Sequence, residues 1–289
     1  MKSPHPINAS AKTLNVNGKP VDLSTPVVMG ILNITPDSFF SGSRVSTENE
    51  ILHEAGKMLS AGATFLDVGG YSSRPGAADV SIEEERSRVL PAIQAIVGKF
   101  PDALISVDTF RARIAREAIQ EGASIVNDIS GGSLDPEMFA TIAALKVPYI
   151  AMHMRGTPQT MNKLTQYENL TGEITDYFLE KIGRLKALGV NDIIIDPGFG
   201  FAKTIAQNFE LLSGLTYFKN LNRPILAGLS RKSMIWKTLE ITAEESLNGT
   251  TALNMRALLG GADILRVHDV KEAMQVIRLF RELNRASAG

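Results

Sequence analysis

Short apolar runs separated by longer amphipathic stretches recur along the chain. The runs are VVMGILN (27–33), TFLDVGG (64–70), LISVD (104–108), SIVND (124–128), PYIAMH (148–153), DIIID (192–196), PILAGLS (224–230) and DILRVH (263–268), eight in all. Each has the length and β-branched content of a strand. Their near-continuous hydrophobicity marks strands buried on both faces. Between them, apolar residues recur at helical spacing over 48–61, 82–97, 111–121, 136–145, 171–188, 206–212, 247–259 and 270–283. Thr47 with Glu50, and Ser81 with Glu84, have capping-box spacing, and Pro136 suits a first helical turn. Strands alternating with helices imply a parallel sheet covered by helices, and eight such units predict a (β/α)8 barrel. The competing open, doubly wound sheet usually carries a glycine-rich phosphate turn after its first strand, and VVMGILNITPDS has none. Ahead of the first unit, TLNVNGKPVDL alternates about Asn17-Gly18, which predicts a short hairpin. Residues 1–12 are expected to be flexible, with 13–289 forming one barrel domain.

Composition narrows the function more than the fold. The 289 residues suit either two domains or one barrel of roughly 250 residues. A 44% hydrophobic content supports a sizeable core. A net charge of −1 and a pI near 6.5 give no basic field for nucleic acid or anionic membrane. The absence of cysteine excludes disulfides, thiolate metal sites and a cysteine nucleophile, and suits a reducing compartment. The stretch MKSPHPINASAKT has no apolar signal region, and no run approaches the roughly 18 residues of a membrane span. The expectation is a cytoplasmic enzyme acting on small molecules.

The strand ends carry the chemistry. The runs finish in Asn33, Asp67, Asp108, Asn127 with Asp128, His153, Asp196, Ser230 with Arg231 and Lys232, and Arg266 with His268. In a parallel barrel these meet at one mouth, where barrel enzymes hold their sites. Singly, each has an ordinary reading. A strand-end Asp or Asn often caps the next helix, His153 reads as a packed, hydrogen-bonded barrel residue, and Asp67 as a brace for its Gly-Gly loop. Together they divide by charge. Lys232, Arg266 and His268, with Ser230 and Arg231, form a positive sector suited to a diphosphate. Asp108, Asn127 and Asp196 offer acceptors and an amide to a flat nitrogen heterocycle with several N–H donors.

Seven ordered segments, GILNITPDSF, GGYSSRPGA, ISVDTFR, IVNDISGG, IIDPGFGFAKT, LAGLSRKSMI and ILRVHDV, closely resemble the signature segments of the dihydropteroate synthase family over nearly the whole chain. That family folds as a (β/α)8 barrel, is usually a homodimer, and is the target of sulfonamides. It joins 4-aminobenzoate to 6-hydroxymethyl-7,8-dihydropterin diphosphate, releasing pyrophosphate in folate biosynthesis. The resemblance assigns Asp108, Asn127, Asp196 and Lys232 to the pterin, with Gly228 beside it. It assigns Asn33, Arg266 and His268 to the diphosphate, with Asn33 meeting Mg²⁺. It assigns Ser73, Arg74, Phe199, Phe201 and Ser230, with Gly228 in the wall, to the aminobenzoate pocket. The expected catalytic set is Asp108, Asp196, Lys232, Arg266 and His268. The chain departs from the family at Ser41, where an acid is frequent, and in Tyr71-Ser72-Ser73, where Glu-Ser-Thr is common, at Tyr71 and Ser73. Two alternatives remain. A pterin-binding methyltransferase acting with a corrinoid protein would have no use for the anion sector, and a non-catalytic pterin-binding paralogue would release no pyrophosphate.

Overall fold

The computed structural model describes residues 13–34, 44–71 and 79–288, so the expectation for residues 1–12 lies outside the described residues. Thr13–Val16 (β1) and Lys19–Asp22 (β2) pair as the predicted hairpin. Asn17 and Gly18 take φ angles of 52° and 76°, and two positive angles are what a two-residue turn needs to match strand twist.

Eight parallel strands follow: β3 (Val27–Asn33), β4 (Phe65–Gly69), β5 (Leu104–Asp108), β6 (Ile125–Asp128), β7 (Tyr149–Met152), β8 (Ile193–Asp196), β9 (Leu226–Ala227) and β10 (Ile264–Val267). They run β8-β7-β6-β5-β4-β3-β10-β9 around the sheet, and a parallel bridge from Ile195 to Ile225 joins its ends. The expected barrel is therefore present, with one narrow seam. At the seam, β9 keeps regular pairing over only two residues of the expected 224–230. Pro224 has no N–H to donate, and Gly228 weakens strand pairing.

Helices cover the outside: α1 (Arg44–Ser60), α2 (Ile82–Lys99), α3 (Ala112–Gln120), α4 (Met138–Leu145), α5 (Leu170–Ala187), α6 (Ile205–Ser213), α7 (Ser233–Leu239), α8 (Leu247–Leu259) and α9 (Val270–Ala288). Ser81 caps α2 as expected, its hydroxyl accepting from Glu84 N–H at 3.2 Å. The Thr47/Glu50 pair does not start α1, which begins at Arg44. Among the described residues, Thr204 and Gln207 form a complete capping box on α6. The short helix α7 and the 3-10 turn Leu215–Leu221 did not stand out in the sequence, because seven residues hold too few turns to display a period.

Two apolar layers result. Val28, Val68, Val107, Val126 and Leu265 face outward and pack with helix residues such as Ile93, Ile114, Phe178 and Ile277. Inside the barrel, Met29, Phe65, Ile125, Ile150, Ile194, Leu226 and Ile264 pack with Leu14, Val16 and Leu23 from the hairpin region. The hairpin is pinned beneath the barrel by two bonds. Asn15 N–H donates to Asp192 at 3.1 Å, and the Asn17 side-chain amide donates to Ser124 Oγ at 3.1 Å. One end of the barrel is thus closed with apolar groups, leaving the strand C-termini as the open mouth.

Candidate active site

Side chains two residues apart share a face of a strand, and this period builds the site directly on the interior layer. Phe65, Ile125, Ile194 and Ile264 lie in that layer. Two residues further along the same strands come Asp67, Asn127, Asp196 and Arg266. These belong to alternate strands, β4, β6, β8 and β10, the arrangement by which barrel interiors fill in layers. Arg266 is the hinge of the group. Its Nε donates to Asp67 Oδ2 at 2.6 Å and its Nη2 to Asp108 Oδ2 at 2.6 Å. Asn127 Nδ2 donates to the same Asp67 oxygen at 3.0 Å.

The structure revises the division by charge. Arg266, expected beside Lys232 in the positive sector, lies between two carboxylates. Arg231 pairs with Asp269 at 2.8 Å. Asp67 is no loop brace. It is fully buried and ties Arg266 to Asn127. Asn33, Gly69, Asp108 and Asn127 stand in successive register across β3 to β6. A Cβ on Gly69 would come within 3.3 Å of Asp108 Cβ, so glycine keeps the space beside that carboxylate open.

Electrostatics follow from burial. Loss of water pushes the Asp108 carboxyl up to about 7, against the pull of Arg266 and with the negative charge of Asp67 adding to the rise. Burial also raises Asp196, opposed by the Gly198 N–H bond of 2.8 Å and by the charge of Lys232. Burial alone would lower Arg266, but Asp67 and Asp108 outweigh it and hold the guanidinium firmly charged. The site therefore combines one fixed cation with two carboxyls, Asp108 and Asp196, that resist ionisation, a setting in which an added donor or cation gains much.

The loop after β8 supplies the opposite wall. Gly198, Gly200 and Ala202 all take positive φ, and a Cβ on Gly198 would fall 2.0 Å from the His153 carbonyl oxygen. Only glycine permits that approach. Phe201 packs with Met152, Met154 and Met161, and Lys232 Nζ lies 4.4 Å from its ring centre. Phe199, only 1% exposed, packs instead between strands and helices. Gly228 borders Asp196, its notional Cβ 4.0 Å from Oδ2. Ser230 Oγ and His268 Nδ1 are 2.9 Å apart. Ser73, Arg74, Ser41 and Ser72 lie outside the described residues.

Sequence reading passed over Lys203. Its buried Nζ donates to the carbonyls of Gly198 and Phe201 at 2.9 and 3.0 Å and lies 3.1 Å from His153 Nδ1. Burial drives it down to about 7, opposed by Asp196. The available signal was a lysine directly after a glycine-punctuated turn, where bent backbone leaves carbonyls in need of donors. His153, held well below its ordinary range by burial and then by Lys203, is the packed, hydrogen-bonded residue expected. Among the described residues, no three His, Asp or Glu side chains gather into a group that could hold a metal unaided.

A closed parallel barrel whose C-terminal mouth gathers carboxylates, an amide, an arginine and a lysine over an apolar floor has the build of a barrel enzyme with a small-molecule site. The chain matches the family described as pterin binding enzyme over residues 29–268. It is 43% identical to dihydropteroate synthase of Escherichia coli (strain K12) over 268 residues, covering 92% of this chain and 94% of that one. Its fold matches the dihydropteroate synthase of Yersinia pestis, solved with a sulfonamide drug complex, with a TM-score of 0.88 and 40% identity over 94% and 99% of the two chains. The Xanthomonas albilineans enzyme solved with 4-aminobenzoic acid matches with a TM-score of 0.88 and 35% identity over 95% and 99%. The chain belongs to the pterin-binding enzymes and, among them, to the dihydropteroate synthases. No helix among the described residues is long and apolar enough to cross a membrane.

Proposed function

We propose that the chain condenses 6-hydroxymethyl-7,8-dihydropterin diphosphate with 4-aminobenzoate to give 7,8-dihydropteroate and pyrophosphate. One observation carries the reading: Arg266 is held between Asp67 and Asp108 in the same layer as Asn127 and Asp196. An anion-binding group and a set of heterocycle acceptors then lie within one ligand's length. Methyl transfer to a corrinoid protein would leave the anion group without a purpose.

In this reading Asp108, Asn127 and Asp196 grip the N–H edges of the pterin, with Lys232 alongside and Gly228 giving the ring room. Arg266 and His268 take the diphosphate. Ser230 orients the His268 ring, whose nearer nitrogen it meets at 2.9 Å. Phe201 walls the aminobenzoate side together with Ser230, and the family resemblance adds Ser73 and Arg74. Asn33 fits Mg²⁺ in a limited way. One half-buried amide oxygen at the end of β3 suits an ion held mainly by substrate phosphates and water. Bound there, Mg²⁺ would supply charge neutralisation to the leaving pyrophosphate.

The bond from the pterin methylene to oxygen breaks, and its electron pair leaves with pyrophosphate beside Arg266 and His268. Asp108 and Asp196 stabilise the positive charge left on the pterin. The aminobenzoate nitrogen then attacks the methylene and loses a proton. Preorganised charge of this kind acts on the transition state, and each such group contributes about 2.7–4 kcal/mol in comparable sites. We further read residues 13–289 as one domain, since the hairpin seals the barrel floor. Dimerisation is supported by Leu239, Leu259 and Leu279, each more than half exposed on α7, α8 and α9, and the lack of cysteine supports a cytoplasmic setting. Pyrophosphate release that requires both substrates tests the reaction, and release from either substrate alone would refute it. Light scattering at micromolar concentration tests the dimer.

A further inference from the structure

We infer that Asp67 is a positioning residue that sets the plane of Arg266 and the amide orientation of Asn127 together, and so couples diphosphate recognition to pterin recognition. The inference rests on the reading of Arg266 and Asn127 given above, and neither resemblance nor strand-end pattern had assigned Asp67 this part.

One carboxylate oxygen, Oδ2, accepts from both Arg266 Nε at 2.6 Å and Asn127 Nδ2 at 3.0 Å. An ionised carboxylate only accepts, so it fixes which end of the Asn127 amide faces it. The NH2 group turns toward Asp67, and the Asn127 carbonyl oxygen is left to receive an N–H from a heterocycle. The second consequence concerns Arg266. With Nε on Asp67 and Nη2 on Asp108, the guanidinium is held at two points. A planar group held at two points cannot swing, and its Nη1 donors remain for an anion.

A purely architectural role fits poorly. Asp67 is fully buried, and its other oxygen, Oδ1, has no hydrogen-bond partner. Neighbouring Ser106, its register partner on β5, also has a buried hydroxyl without a partner. Buried ion pairs with incomplete hydrogen bonding are commonly no more stable than well-packed apolar residues of the same volume. The strand already shows how an apolar residue fits two positions earlier, at Phe65. What an apolar residue could not do at position 67 is hold a guanidinium and an amide at once.

The test is Asp67→Asn, which keeps the shape and removes the charge. Calorimetry should show affinity for pterin diphosphate falling at least about thirtyfold, the low end of what removing one partner of a buried charge pair costs. The unphosphorylated pterin alcohol should also lose affinity, because Asn127 is released. The KM for 4-aminobenzoate should stay within about twofold. In an Arg266→Ala background the Asp67→Asn loss for diphosphate should shrink, since residues in one network do not add. Equal losses in both backgrounds would overturn the inference, as would unchanged affinity for both pterins. If Asp67→Asn does not fold, Asp67→Ser, with room for water, is measured in the same way. Failure of both to fold also overturns it, because the fold would then depend on the carboxylate. Wild-type protein that binds both pterins yet releases no pyrophosphate would defeat the proposed reaction while leaving the Asp67 measurements readable.

Discussion

Phe65, Ile125, Ile194 and Ile264 close the floor of the barrel. Asp67, Asn127, Asp196 and Arg266 stand two residues further along the same strands and line its mouth. The backbone is the same in both places, so the contrast isolates what side chains do. The floor is apolar, sealed by Leu14, Val16 and Leu23, and its contribution is burial. The mouth holds buried carboxylates raised above their ordinary range and an unpartnered oxygen on Asp67, and such groups cost stability unless something binds them. Folding energy and binding chemistry are thus separated by one strand period, which allows each to be damaged alone.

The sharpest break should come at the floor. Phe65→Ala removes a fully buried ring from a closed interior, and such truncations cost about 3–5 kcal/mol of stability. Denaturant melts should show that loss, while turnover of the folded fraction stays near wild type. A large fall in turnover at full folding would mean that floor and mouth are coupled after all.

Asp196→Asn should do the reverse. It keeps the shape and presents an NH2 group to a ligand donor, so turnover should fall by about 10²-fold or more, equivalent to about 2.7 kcal/mol. The melting temperature should barely move. A variant that retained wild-type turnover and pterin affinity would show that Asp196 only caps its loop through Gly198.

Acidity should divide the two layers more gently. Asp108 is pushed up by burial to about 7, and in the proposed reaction it accepts pterin N–H groups in its ionised form. Pterin affinity should therefore weaken as pH falls below about 7, approaching tenfold per unit where only one proton is taken up. The sign for stability is opposite. A carboxyl with a raised folded value binds more protons folded than unfolded, so this group's contribution to stability rises as pH falls from about 7 toward its unfolded value near 3.9. Calorimetry of pterin binding beside thermal melts across pH 5–8 would separate them, and affinity that improved on acidification would contradict the assignment.

How much could be read in advance depends on the range of the cause. Strands, helices and the polar strand ends were legible because each rests on a period of a few residues. The partners of those ends were not. Whether Arg266 meets Lys232 or Asp108 is set by how the strands stagger around the barrel, so the expected charge sectors proved to be interleaved. Asp67 looked like a loop residue because Gly69 and Gly70 follow it, whereas its place two residues after Phe65 decides its direction. Lys203 was passed over because its burial depends on three positive φ angles in the loop before it. The first-loop departure at Ser41 lies outside the described residues, and only the start of the second loop can be compared.

That start, Tyr71, gives the mildest test, at the outer edge of the mouth. Its hydroxyl donates to Asp79 at 3.1 Å and accepts from Gln159 Nε2 at 2.9 Å, while its ring meets Phe110 edge-on with centroids 5.0 Å apart. Arg111 lies over the same ring at 5.5 Å and reaches buried Glu85 at 2.6 Å, so Tyr71 is fixed to the barrel by its ring as much as by its hydroxyl. Tyr71→Phe deletes only the hydroxyl. Both hydrogen bonds are solvent-accessible, water can replace them, and the net cost of such a bond is about 0.5–1.5 kcal/mol. The KM for 4-aminobenzoate should rise by no more than about threefold, within that range, with pterin affinity unchanged. Tyr71→Ala, which also removes the ring contacts, should raise it further. If Phe and Ala variants were equally impaired, the hydroxyl would be the anchor, and the rim would resemble the buried layer more than its exposure implies.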